Sequence, residues 1–354
     1  TNSKLKKLRL ILLAPIGAFY GIIALLRRKL YNKKNNRYTH ATMPTICIGN
    51  LAVGGTGKTP HTEYLLRMLS ERFTVATLSR GYGRKTKGYI LAEATHSAAE
   101  VGDEPLQMKM KFPSITVAVC EKRKEGLLHI AEEKPSTQVV MLDDAFQHLE
   151  VRCRKQIILT DYASPYYQDF PLPAGNLREF KSAANEADTI IVTKCPNNLS
   201  LDEATDIEKR LKLRSGQSCF FTCLEYERPQ ALTPTAKAMT ISQKTSIVLL
   251  SGIAHPEHLY HHLSSQYNDI ESIEFPDHHN FNKIEIGLVC KKLAQSNQEK
   301  VIFITEKDAA RLQNTELWEM LSKMPVFSIP VKVKFLWKGE DFQREIESTI
   351  ERQA

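Results

Sequence analysis

From Met43 onward the chain alternates short apolar runs with stretches whose apolar positions recur every three or four residues. The runs TICIGN (45–50), FTVATLS (73–79), SITVAV (114–119), QVVMLD (138–143), KQIILTD (155–161) and DTIIVT (188–193) have strand length and are rich in Val and Ile. Strands separated by helical stretches predict βαβ units and a mostly parallel, doubly wound sheet with helices on both faces. After a Pro-containing stretch of weak periodicity between about Phe220 and Thr240, a second cycle begins with TSIVLLSG (245–252). Its strands are expected near 245–251, 270–275, 300–305 and 326–331. The organisation predicted is therefore an N-terminal segment over 1–40, a first α/β/α unit over 41–225, a linker over 226–240 and a smaller α/β/α unit over 241–354. The closing stretch DFQREIESTIERQ reads as a solvated terminal helix.

The N-terminal segment follows a different pattern. Leu10 to Leu26 is 17 residues without a charge, about 25 Å as a helix. That is short for a bilayer span. A signal peptide, a spanning helix and an interfacial anchor all fit an apolar run behind KLKKLR, and the length with basic residues on both sides favours the interfacial anchor.

Charge sharpens this picture. Residues 1–43 carry ten Lys and Arg and no acid, so the remaining 38 basic and 40 acidic residues sum to −2, although the whole 354-residue chain is +8. A nucleic-acid binder needs its basic residues on the folded domain. Here they flank an apolar segment, so an anionic membrane surface is the expected partner and nucleic acid is not. The seven cysteines are odd in number and scattered. They read as reduced thiols, and the Cys219/Cys223 pair lacks the second pair of ligands that zinc needs.

The strongest local chemistry is ICIGNLAVGGTGKTPHTEYLLRML, where a strand ends in a glycine-rich turn and a helix follows. Gly54, Gly55, Thr56 and Gly57 can turn backbone N–H groups onto phosphate oxygens, and the helix start adds positive dipole. Lys58 is placed for the β- and γ-phosphates, Thr59 for Mg²⁺, and Pro60 opens the helix. The first glycine of the usual G-x-x-x-x-G-K-[ST] pattern is replaced by Ala52. A second strand, QVVMLDDAFQH, ends in Asp143 and Asp144 and supplies the carboxylates such a loop needs for its metal. The first unit is thus P-loop NTPase-like.

A phosphate loop serves motors, switches and kinases alike. A guanine-reading [NT]-K-x-D is missing, because Cys195 and Pro196 follow Thr193 and Lys194. A kinase needs an acceptor for the attacking hydroxyl's proton, and two loops offer one: EVGDEPLQM with Asp103 and Glu104, and FPDHHNF with Asp277, His278 and His279. A membrane-tethered NTPase switch acting through protein partners is the alternative to a kinase.

GNLAVGGTGKTP, LSRGYGR, VGDEP, LDDAFQH, LPAGNLRE, SGIAHPE, DHHNF and TEKDAARL, in this order behind a basic apolar N-terminus, closely resemble the tetraacyldisaccharide 4'-kinase family. The resemblance extends to about residue 335. It implies ATP- and Mg²⁺-dependent phosphorylation of the 4'-hydroxyl of an acylated glucosamine disaccharide 1-phosphate, a lipid A precursor, at the cytoplasmic face of the inner membrane, by a protein expected to be a monomer. Carried over motif by motif, Lys58 and Asp143 join Asp103 and His278 as catalytic residues, with Asp103 and His278 activating the hydroxyl. Thr59, Asp144 and Glu104 hold the metal. Asn50, Arg80, Tyr82, Arg84, Arg123, Gln147, His148 and Glu179 are implied on the lipid-substrate side. SGIAHPE and TEKDAARL are expected to approach ATP when the second unit closes as a lid. Which of His278 and His279 acts stays open at this level.

Overall fold

The computed structural model of the protein describes residues 2–33, 43–294 and 299–351. Its strands are β1 (Thr45–Asn50), β2 (Val75–Ser79), β3 (Ile90–Leu91), β4 (Thr116–Val119), β5 (Val139–Asp143), β6 (Lys155–Asp161), β7 (Thr189–Thr193), β8 (Ser218–Tyr226), β9 (Gln230–Ala231), β10 (Ser246–Ser251), β11 (Ile270–Glu274), β12 (Lys300–Thr305), β13 (Val326–Ile329) and β14 (Val331–Phe335). Among the described residues they form a nine-stranded sheet, ordered β14-β8-β7-β6-β1-β5-β2-β4-β3, and a five-stranded sheet, ordered β11-β10-β12-β13-β9. The large sheet is parallel from β8 to β4, with β14 and β3 antiparallel at its edges. The predicted α/β/α class is the observed one.

Both faces of the large sheet are covered, so its central strands read as continuous apolar runs. Along β1 and β5 alternate residues supply two cores: Cys47, Val140 and Leu142 face one, and Ile46, Ile48, Val139 and Met141 face the other. The parallel register sets Ile48 beside Asp143. The phosphate loop and the carboxylate pair therefore leave the sheet side by side at its carboxyl end, where open α/β sheets bind ligands.

Three segments depart from the sequence expectation. Phe220–Tyr226, the start of the stretch of weak periodicity, belongs to β8 (Ser218–Tyr226) in the large sheet. The expected linker over 226–240 instead contributes β9, paired with β13, and a short helix whose Ala236 is buried. The unit expected over 241–354 ends at β13, because β14 crosses back to pair with β8. The terminal helix Gly339–Glu351 then buries Phe342, Ile346 and Ile350 in the large sheet's core, so it is not a solvated appendage. Its charged residues dominate the composition, but its apolar positions recur at four-residue spacing on one face.

The N-terminal helix Asn2–Lys33 runs unbroken through Pro15. Its Leu8–Tyr31 stretch is long and apolar enough to cross a membrane. Arg9 donates to the carbonyls of Pro173 and Gly175, each at 2.8 Å. Near its other end Arg28 is buried against Glu179 at 2.7 Å and Glu186 at 2.6 Å, with its guanidinium over the Phe146 ring. Between them Gly17 and Gly21 lie so close to Pro171 and Phe180 that a Cβ would clash. The expected boundary near residue 40, with Lys34 and Arg37, lies outside the described residues, as do the side chains of Lys4, Lys6, Lys7 and Lys33.

Candidate active site

The phosphate loop takes its shape from glycine. Gly57 caps the helix Lys58–Ser70 at φ 84°, a left-handed backbone that a Cβ would strain. His61, one turn into that helix, donates from Nδ1 to the Gly57 carbonyl at 2.7 Å and accepts at Nε2 from Thr222 at 2.9 Å. Burial holds this imidazole neutral, with its pKa lowered to about 4. Lys58 reaches back over the loop, donating to Asn50 Oδ1 at 3.3 Å and lying 3.7 Å from Asp144.

Gly54 to Pro60 line a cavity of about 1230 Å³, which also takes in Glu104, Asp143, Asp144, His278 and Lys307. Thr59 donates to Glu104 at 3.2 Å, and Thr62 to Asp143 at 3.2 Å. Burial first, then the charges of Glu104 and Asp144, push the Asp143 carboxyl up to about 7. Burial alone would raise Asp144 too, yet Lys58 and Arg178, the latter 3.1 Å away, hold it below its ordinary value. The Thr59 hydroxyl and the Glu104, Asp143 and Asp144 carboxylates are hard oxygen donors that border one cavity. That donor set fits Mg²⁺.

Asp103 and His278, far apart in sequence, meet beside this cavity: His278 Nδ1 donates to Asp103 Oδ2 at 3.0 Å. The two histidines of DHHNF differ in their contacts. His279 bonds Glu285 at 2.9 Å and stacks on Phe275, whereas His278 lines the cavity and meets the Tyr82 ring edge-on. Asp103 is 6% exposed. Burial would raise its pKa, but His278, Lys307 and Arg311 together hold it well below the carboxylate range.

Arg80, Tyr82, Gln147 and His148 line the cavity. Burial and the charges of Arg123 and Arg80 lower His148 to about 4. Four other residues expected on the substrate side are held by contacts within the protein, and of these Arg123 and Glu179 also line the cavity. Asn50 is fully buried and braces the loop, donating to Thr56 at 2.9 Å. Arg84 turns away to Glu121 at 2.8 Å and the Gly88 carbonyl at 2.7 Å. Arg123 is buried and donates to the Cys120 carbonyl at 2.6 Å, and Glu179 is held by Arg28. Some of these partners are near in sequence, Thr56 for Asn50, Gly88 for Arg84 and Cys120 for Arg123, whereas Arg28 reaches Glu179 from the N-terminal helix. Arg178 and Lys307, not singled out by sequence, do reach the cavity. They sit inside the quoted LPAGNLRE and TEKDAARL motifs.

The profile of the tetraacyldisaccharide-1-P 4'-kinase family matches residues 9–351. The tetraacyldisaccharide 4'-kinase of Flavobacterium johnsoniae is 39% identical over 335 residues, 95% of either chain. That of Bacteroides thetaiotaomicron is 39% identical over 341 residues, 93% of this chain and 90% of its own. Among solved structures, LpxK from Aquifex aeolicus, described as in complex with ATP, superposes with a TM-score of 0.72 at 27% identity, covering 97% of this chain and 99% of that one. A match that runs almost end to end, to relatives of nearly equal length, makes one assignment: the chain belongs to the tetraacyldisaccharide-1-P 4'-kinase family.

Proposed function

We infer that the protein transfers the γ-phosphoryl group of ATP to the 4'-hydroxyl of a tetraacyldisaccharide 1-phosphate in lipid A synthesis. The observation that carries this reading is that His278, hydrogen-bonded to Asp103 behind it, lines the same cavity as the phosphate loop. An NTPase switch has no need of it.

In the transfer, a bond forms between the acceptor oxygen and the γ-phosphorus while the bond from that phosphorus to the β,γ-bridging oxygen breaks, and the hydroxyl proton goes to His278 Nε2. Asp103 is the orienting partner. Its Oδ2 accepts from His278 and Arg311 and its Oδ1 from the Glu104 amide at 2.9 Å, and it does not line the cavity, so the base that faces the cavity is the imidazole. With Nδ1–H donated to Asp103, Nε2 carries the free lone pair. Lys307 Nζ now sits 3.2 Å from it, and the acceptor hydroxyl takes that place. Glycine amides and Lys58 grip the phosphates. Thr59, Glu104 and Asp144 would hold Mg²⁺, with Asp143 behind them. When bound, the ion offsets phosphate charge.

The N-terminal helix is our proposed membrane contact. Arg9 and Arg28 are 19 residues apart, about 28 Å along the helix. Both are tied to the segment 173–186 of one domain. A helix held at both ends along the protein lies beside it, which supports an interfacial anchor over a crossing one. ATP dependence supports the cytoplasmic face of the inner membrane.

The test is incubation of purified protein with ATP, Mg²⁺ and tetraacyldisaccharide 1-phosphate, reading the lipid by mass. Gain of one phosphate is expected, and ATP hydrolysis without a lipid product would defeat the kinase reading.

A further inference from the structure

The TEKDAARL motif does more than face the nucleotide. Its helix, Glu306–Leu312, starts at Thr305, whose hydroxyl donates to Asp308 Oδ2 at 2.6 Å. The same carboxylate oxygen accepts from the Gly252 amide at 3.0 Å, and Asp308 is wholly buried. Gly252 is the glycine of SGIAHPE, and a Cβ there would press on both Asp308 and Arg311. Arg311 is then fixed along one edge, NH1 donating to Asp308 Oδ1 at 2.8 Å and to the Gly252 carbonyl at 2.6 Å. Its other edge crosses to the first unit, where Nε and NH2 donate to Asp103 Oδ2 at 2.9 and 2.8 Å.

We propose that Arg311 is a positioning residue for phosphoryl transfer: from the core of the second unit it fixes the Asp103 carboxylate, and through it the plane and tautomer of His278. This rests on the acid–imidazole reading above. His278 needs such help, because it stands on an exposed turn at φ 57° and the described contacts of its ring are Asp103, Asp277, Lys307 and the edge of Tyr82. A carboxylate held by two guanidinium N–H groups at one oxygen and an amide at the other cannot rotate without breaking bonds. Arg311 is not among the side chains that line the cavity, so it acts through Asp103 and not on the substrate. The imidazole is thereby aligned only when the two units are in contact, which makes the second unit part of the acid–base apparatus as well as a cover for the nucleotide.

The experiment compares full-length Arg311→Ala and Arg311→Lys with wild type in the lipid phosphorylation assay, at saturating ATP and acceptor. Arg311→Ala is expected to lower kcat by about a hundredfold with the KM for ATP within about twofold, since a misaligned base costs rate and not nucleotide affinity. Millimolar methylguanidinium should restore at least roughly tenfold of the lost kcat, and should not rescue Asp103→Ala. Arg311→Lys keeps the charge without the fork and should retain under about a tenth of wild-type kcat at an unchanged melting temperature. A kcat within about threefold of wild type in either variant would overturn the proposal, as would joint loss of kcat and ATP affinity without rescue, which marks a mere staple between the units. Should Arg311→Ala not fold, the Lys variant alone decides by the same threshold. Failure of wild type to phosphorylate the lipid would instead defeat the kinase reading.

Discussion

Asp144 at φ 45°, Lys194 at 56° and His278 at 57° adopt the left-handed backbone without being glycine, and all three border the cavity. Such residues cost on the order of 1 kcal/mol each and persist where surrounding contacts over-determine them. His61 carries a different burden. In the unfolded chain its imidazole titrates near 6.5, and in the folded loop only near 4. The unfolded state therefore binds more protons between those values, and stability falls as pH drops through 6.5 toward 4. Relative to His61→Asn, whose amide can still donate to the Gly57 carbonyl but does not titrate, wild type should lose about 2 kcal/mol more between pH 7 and pH 5 in urea unfolding. Equal losses would mean that the ring is already protonated or already wet. The chemistry of single residues was legible where a motif fixes local backbone, as in Gly54 to Thr59. It was not legible for Asn50 and Arg84, which do not line the cavity, because whether a polar side chain faces the cavity or a neighbouring loop is decided by tertiary partners.

At the level of elements, β1, β5, β6, β7, β10 and β12 stand within a residue or so of their expected places, since strands buried on both faces announce themselves as short apolar runs. The hidden elements are short, mixed in composition or rich in charge. β8 mixes Ser, Thr and Glu with its apolar residues although Phe220 and Phe221 enter opposite cores, β9 is two residues long, and the terminal helix hides three buried residues among charges. Phe342 shows what this misreading costs. Its ring is 1% exposed and lies within 4.7 to 6.3 Å of Phe335, Phe220 and Tyr64. Phe342→Ala should destabilise the protein by about 3–5 kcal/mol, as removal of a fully buried ring does. Thermal unfolding checks this, and a change under about 1 kcal/mol would mean that the helix is dispensable, as its composition suggested. Because β14 precedes the helix and pairs with β8, the chain enters the second unit at β9 and leaves it after β13. Two covalent crossings then flank the contacts of Lys307 and Arg311 with the first unit.

At the scale of the molecule, charge and apolar surface are segregated together. The first 43 residues hold the whole excess of positive charge, and the helix within them exposes Ile11 at 72%, Leu12 at 66% and Phe19 at 66% while its opposite face binds the segment 170–186. Burying one such side chain in a membrane interface gains about 2 kcal/mol, and basic residues beside an anionic surface add about 1 kcal/mol each. Two substitutions in the exposed stripe, Phe19→Glu and Ile23→Glu, therefore remove about 4 kcal/mol before any repulsion from anionic lipid is counted. Neither residue is part of the Arg9 and Arg28 contacts, so the helix should stay docked and the cavity intact. Flotation with anionic vesicles should show partitioning reduced by at least roughly a hundredfold, and raised salt should weaken the wild type by screening its lysines and arginines. Activity on a short-chain, water-soluble disaccharide acceptor should remain near wild type. Unaltered flotation of the double variant would mean that the lipid-facing surface lies elsewhere, with the cavity mouth itself as the docking site. Loss of activity on the soluble acceptor would mean that the helix shapes the site and does not only bring it to the membrane.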